Sequence, residues 1–153
     1  MKNSETVRQY YNAFSSQVLL GDFVQLNPRQ QAIKALCAEH LAPDFRALEI
    51  GCGAGILTNF LSKRAASVMA VDISDVNIAV ASEYNRKQTN ITFISQDILT
   101  NAAQVEQNSP YDFVLFADVI EHIPIEKHGQ VFALVERILS ERGVVVLTLP
   151  TPE

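Results

Sequence analysis

Ala47-Leu48-Glu49-Ile50-Gly51-Cys52-Gly53-Ala54-Gly55-Ile56 and Ala70-Val71-Asp72-Ile73-Ser74 decide the fold of this chain. The first stretch is a short apolar run, three glycines at alternate positions and the start of a helical pattern. Glycine takes positive φ and lets backbone approach a neighbour closely, so it suits a tight turn between strand and helix. The second stretch is another apolar run, ending in an acid and a serine suited to cap a helix. Asp72 follows Gly51 by about 20 residues, the spacing at which an acid after a second strand reaches ribose hydroxyls. The plainer alternative is a tight turn followed by a helix cap.

The alternation continues along the chain. Strands are expected over 47–50, 67–71, 90–94, 111–117 and 143–149, and helices over 56–64, 74–86 and 124–140. Short links between strand and helix imply parallel pairing through right-handed crossovers. The last two strands are apolar on both alternating sets, as strands covered on both faces must be. The expected class is α/β, with a doubly wound, mostly parallel, Rossmann-like sheet. Before residue 44 the reading is helical. Val7, Tyr10, Tyr11 and Phe14 recur at helical spacing, Gly21-Asp22 interrupts them, and Asn27-Pro28 opens a second helix. Residues 1–43 thus form an N-terminal helical cap and 44–153 the core of one structural domain.

With 153 residues the chain is one domain. Apolar residues at 48% and charged residues at 19% exclude a disordered chain. The net charge of −5 argues against a large nucleic-acid footprint. No apolar run approaches the roughly 18 residues of a membrane span. Cys37 and Cys52 make no disulfide framework and read as reduced thiols of a cytoplasmic protein.

In open α/β sheets ligands bind beyond the carboxyl ends of the strands. Those ends carry the glycine turn 51–55, then Asp72, Asp97, and Asp118 with Glu121 and His122. The dinucleotide fingerprint needs glycines at relative positions one, three and six. Here the sixth position is Ile56, which weakens a nicotinamide reading, though spacing alone leaves both nucleoside cofactors open.

Leu48 to Gly55 resembles the first motif of the class I S-adenosylmethionine (SAM)-dependent methyltransferases. Ala70 to Ser74 is similar to their second motif, Gln96-Asp97-Ile98 to the third, and Tyr111 through His122 to the fourth. Gly143 to Pro150 is similar to the segment at strand five, so the resemblance runs from about residue 44 to 150. It implies SAM as cofactor and methyl transfer to a small-molecule acceptor. Glu49 would order the loop near the methionine amino group, with Gly51, Gly53 and Gly55 beside the methionine and ribose. Asp72 would bind both ribose hydroxyls and Ile73 would flank the adenine. Asp97 would accept from the adenine amino group, with Ile98 on the ring, and Ala117 and Asp118 would lie beside the methionine. An N-terminal helix closes over the cofactor in related enzymes, a part open to Tyr10, Tyr11 and Phe14; these rings equally read as core.

His122 is the candidate base for an acceptor proton, with Glu121 to orient it; the plainer reading is that the pair only begins the next helix. Asp118, Glu121 and His122 stand at i, i+3 and i+4, one face if the segment is helical. Two carboxylates and an imidazole suit a divalent metal, and the set resembles the acid-x-x-Glu-His metal motif of ubiquinone-pathway O-methyltransferases. His40 and His128 receive no role. The sequence stops after strand five, where the resembled family continues. The apolar run Val144 to Leu147 is therefore expected to be covered by a further segment or a second chain. The alternative to an active enzyme is a SAM-binding N-terminal module of a longer one, inactive when isolated.

Overall fold

The computed structural model describes residues 5–10, 12–13 and 28–150. Tyr11, Phe14, Gly21-Asp22 and Asn27 lie outside the described residues. Residues 5–10 and 12–13 are helical. Then come α1 (Pro28–His40), β1 (Arg46–Ile50), α2 (Ile56–Ser62), β2 (Ser67–Asp72), α3 (Asp75–Tyr84) and β3 (Ile91–Ser95). Next follow α4 (Ala103–Gln107), β4 (Tyr111–Ala117), two single-turn 3-10 segments (Ile120–His122 and Ile125–Lys127), α5 (His128–Ile138) and β5 (Leu139–Thr148).

The sheet runs β3-β2-β1-β4-β5 and every pairing is parallel. Strand order reverses between β1 and β4, so the crevice expected of a doubly wound sheet opens after β1 and β4. Two apolar layers cover the sheet. Ile33 and Cys37 of α1 and Leu57 and Leu61 of α2 pack on Ala47, Val68, Phe113 and Leu115. Val131, Leu134, Val135 and Ile138 of α5 pack on Leu48, Met69, Val71, Val114 and Phe116 from the other side. Alternate residues of β4 serve opposite layers, which is why that strand reads as a continuous apolar run. The buried hydroxyl of Tyr111 donates to the Val105 carbonyl at 2.9 Å.

Two expected boundaries are corrected. The helix expected over 124–140 is a 3-10 turn, Ile125–Lys127, and then α5. The strand expected from 143 begins at Leu139, which pairs with Tyr111 before the register slips to Phe113 against Val144. The Ser140 hydroxyl donates to Asp112 at 2.9 Å there, and the other Asp112 oxygen accepts from the Arg46 amide at 3.0 Å. Among the described residues β5 is an edge strand, and Val145 is 37% exposed on it. No helix among the described residues is long and apolar enough to cross a membrane. Both cysteines are free and buried; burial pushes the Cys37 thiol up to about 12.

Asn85, fully enclosed, ties α3 to the start of α2. Its amide donates to the carbonyls of Gly55 (3.0 Å) and Ala81 (2.9 Å) and accepts from Asn59 at 2.8 Å. Asn85→Ala is expected to cost about 1–3 kcal/mol by stranding these buried groups. Asn85→Asp is expected to do no better, because a carboxylate donates to neither carbonyl. Urea midpoints at unchanged m-value check both.

Candidate functional site

The turn after β1 is built by three glycines in the left-handed region, at φ 75° (Gly51), 52° (Gly53) and 78° (Gly55). Their surroundings differ. A Cβ on Gly51 would strike Val119, and one on Gly55 would come within 2.8 Å of the Ala81 methyl. A Cβ on Gly53 would meet nothing within 4 Å, so Gly53 faces open space. Amides of Gly51 and Cys52 donate to the Val71 carbonyl at 2.7 and 3.0 Å, anchoring the turn to β2.

Asp72, buried at the end of β2, holds that turn from the other side. One carboxylate oxygen accepts from the Gly53 amide at 2.8 Å. The other accepts from the Ser74 amide at 2.8 Å and the Asn77 side chain at 3.1 Å. Burial raises its pKa above the ordinary value, partly offset by these three donors. A carboxylate has about four acceptor positions, so roughly one remains open. Ser74 caps α3 as its sequence foretold, accepting from the Asn77 amide at 3.1 Å. The Ser74 hydroxyl also donates to Asn12 at 2.5 Å, and Arg8 reaches Asp75 at 3.5 Å. The N-terminal helical residues therefore lie against this rim. Tyr10 is exposed.

Glu49 is 1% exposed, and Thr58 donates to it at 2.5 Å. Burial, opposed by Thr58 and reinforced by Asp72, pushes its carboxyl up to about 8. Burial thus favours its neutral form in the free protein. Cys52 beside the turn is pushed further up by burial, with Glu49 and Asp72 adding to the effect.

Beyond β3, Asp97 accepts from the Leu99 amide at 2.9 Å through one oxygen. Its other oxygen, Oδ2, and the Gln96 Oε1 oxygen are buried with no hydrogen-bond partner. Two enclosed acceptors without donors are costly, at about 1–3 kcal/mol each. Ile98 packs against the core next to them, and Ile73 is half-buried after β2.

The end of β4 departs from expectation. Asp118 takes φ 57°, unusual for a residue with a side chain. Its two oxygens receive Arg29 of α1 in a bidentate pair, both contacts at 2.5 Å, and Thr148 of β5 donates to it at 2.9 Å. Arg29, with Thr148 behind it, holds the Asp118 carboxyl below its ordinary value. The left-handed turn and the 3-10 segment Ile120–His122 destroy the helical spacing on which the metal set Asp118, Glu121 and His122 depended. Among the described residues no three His, Cys, Asp or Glu side chains gather as a metal-binding group. Asp118 is instead a partner of Arg29, and the described residues do not bring the three side chains together around one cation. Ala117 lies half-buried at the strand end. Glu121 and His122 approach to 3.9 Å, an ion-pair separation longer than a hydrogen bond.

Glu49, the glycine turn, Asp72, Asp97 and Asp118 thus all lie at carboxyl ends of strands. Arg29 and Asn85 were missed. Asp118 is 89 residues from Arg29 in sequence, and nothing local announces that pairing. Nothing in the sequence singles out Asn85 within the helix expected over 74–86.

Residues 47–143 match the family described as "Methyltransferase domain". The ubiquinone biosynthesis O-methyltransferase of Methylococcus capsulatus is 30% identical over 100 residues, covering 65% of this chain and 41% of that one. Its counterpart in Coxiella burnetii is 38% identical over 80 residues, 50% of this chain and 32% of the relative. The chain thus spans 32% to 41% of the length of these curated relatives. Among solved structures, the DhpI–SAH complex aligns with a TM-score of 0.76 at 26% identity, covering 94% of this chain and 67% of that one. The N-methyltransferase NodS of Bradyrhizobium japonicum, in complex with S-adenosyl-L-homocysteine (SAH), shares the fold at a TM-score of 0.75 and 19% identity, covering 90% and 71%. A parallel sheet of this order, a left-handed glycine turn clasped by the acid after β2, and a family match over most of the core have one common meaning: the chain belongs to the class I SAM-dependent methyltransferases.

Proposed function

We propose that this chain binds SAM along the carboxyl rim of its sheet and acts as a methyltransferase on a small-molecule acceptor. One observation carries the reading: Gln96 Oε1 and Asp97 Oδ2 are buried acceptors awaiting donors at the end of β3. An exocyclic amino group of adenine offers two N–H donors, which would relieve both. Gly53 faces open space and Asp72 keeps acceptor capacity beyond its three donors, which supports assigning the ribose hydroxyls to Asp72. Glu49 is the counter-charge for an ammonium group. Tyr11 and the other rings of residues 1–43 supply the cap in this reading, with 44–153 as the cofactor-binding core.

When bound, SAM supplies a methyl group on a sulfonium, the activated donor of an in-line displacement. The chain's own part is to hold and orient. His122, exposed beside Glu121 just past β4, is the group placed to accept an acceptor's proton. The names of the curated relatives support a small hydroxylated acceptor. The net charge of −5 speaks against nucleic acid, and the free buried thiols favour the cytoplasm. The apolar edge at β5 supports a covering segment or second chain there.

Calorimetric titration with SAH, and with NAD as the competing ligand, tests the assignment; binding of NAD without SAH would overturn it. Two variants sharpen it. Asp97→Asn keeps the bond to the Leu99 amide through its carbonyl but turns an NH2 toward the open position, donor against donor. It is expected to weaken SAH binding about tenfold or more, about 1.4 kcal/mol. Gln96→Met removes an orphaned oxygen, so it is expected to raise the free protein's melting temperature while weakening SAH. Unchanged SAH affinity in both variants sinks the adenine role.

Glu49 gives a pH signature. Its folded pKa of about 8 lies above its ordinary 4.5, so its contribution to stability is full below the ordinary value and is lost as pH rises toward 8. Pairing with an ammonium needs the ionised form. SAH affinity is therefore expected to rise between pH 6 and 8, by up to about tenfold per unit. Glu49→Gln should abolish that slope, which titrations at pH 6, 7 and 8 read directly.

A further inference from the structure

His128, the first residue of α5, received no role from its sequence. In the structure its Nε2 lies 3.1 Å from the Ile120 carbonyl oxygen and 2.9 Å from the Ile123 carbonyl oxygen. Both partners only accept, so Nε2 carries the proton and divides it between them. These carbonyls bracket the segment that carries Glu121 and His122. Within it, the His122 amide donates to the Val119 carbonyl at 3.0 Å and the Ile123 amide to the Ile120 carbonyl at 3.1 Å. A single 3-10 turn is a weak element on its own. It follows a left-handed residue, Asp118, and precedes Pro124, which donates no amide.

We propose that His128 is a positioning residue: its Nε2–H clamps both ends of the 3-10 turn and so fixes Glu121 and His122 at the rim. The clamp explains why the segment is ordered without a helix to hold it. Ile120 is buried in the core and anchors one side of the turn; the imidazole ties the opposite side to α5. The Glu121–His122 pair is thereby presented from a rigid element. This rests on the reading of the rim as a methyltransferase site, but the clamp itself is testable without turnover.

The experiment is hydrogen exchange at the His122 and Ile123 amides in the full chain, with three variants at position 128. His128→Gln keeps a side-chain N–H at about the reach of Nε2, whereas His128→Glu has nearly the same shape but, when ionised, only accepts. Exchange at the two amides is expected to quicken about five- to tenfold in His128→Ala and His128→Glu, the factor that one lost hydrogen bond of ordinary net strength gives. His128→Gln is expected to restore wild-type rates. SAH affinity, measured on the same samples, is expected to stay within about twofold, since losing the clamp leaves the strand-end acceptors in place. Equal behaviour of the Gln and Glu variants, or unchanged exchange in His128→Ala, overturns the clamp. Absence of SAH binding in every sample, wild type included, instead overturns the methyltransferase reading, and the exchange rates still decide the role of His128.

Discussion

The buried carboxylate of Asp72 is the constraint on which the rim depends. It ends β2, fixes the glycine turn through the Gly53 amide, and fixes the start of α3 through Ser74 and Asn77. The glycine turn and the β2–α3 junction, 19 residues apart at Gly53 and Asp72, meet at one side chain. Burial alone raises the energy of its ionised form; the three donors offset part of that penalty. The plainer reading, a turn and a helix cap, is thus part of the structure rather than an alternative to a binding role. A carboxylate that orders the turn in this way still has acceptor capacity beyond its three donors.

The strand ends then divide by charge. Glu49, Asp72, Gln96 and Asp97 present acceptors that are buried or under-supplied with donors. In the proposed reading such a surface favours a ligand rich in N–H and O–H groups, because each donor removes a desolvation cost the free protein already carries. At the end of β4 the logic reverses. Asp118 is engaged by Arg29 and Thr148, which joins α1 and β5 to the end of β4. That acid holds three elements together, and the adjoining Glu121 and His122 are exposed.

Much of the fold and the order of the strand-end residues was legible because they are local. Glycines at alternate positions, apolar runs of strand length and a serine after Asp72 each report on backbone conformation within a few residues. The contacts that were not legible join distant positions: Arg29 to Asp118, Asn85 to Gly55, His128 to Ile120 and Ile123. The same limit produced the metal expectation. Spacing of i, i+3 and i+4 has meaning only on a helix, and a positive φ at Asp118 cannot be read from an Asp-Val pair. β5 began early for a similar reason, since the pairing of Leu139 is set by Tyr111 across the sheet.

These two kinds of contact divide the site into parts of unequal rigidity. The acceptors proposed for a nucleoside sit at strand ends, beside strands held in parallel register across the sheet. Glu121 and His122 sit on a single 3-10 turn, which the sheet does not position directly. Its placement rests on buried Ile120 beneath it, the Arg29–Asp118 pair before it and the His128 imidazole behind it. A cofactor shared across a family calls for the first kind of support. A turn held by a few side chains leaves the placement of Glu121 and His122 to those contacts rather than to the strands.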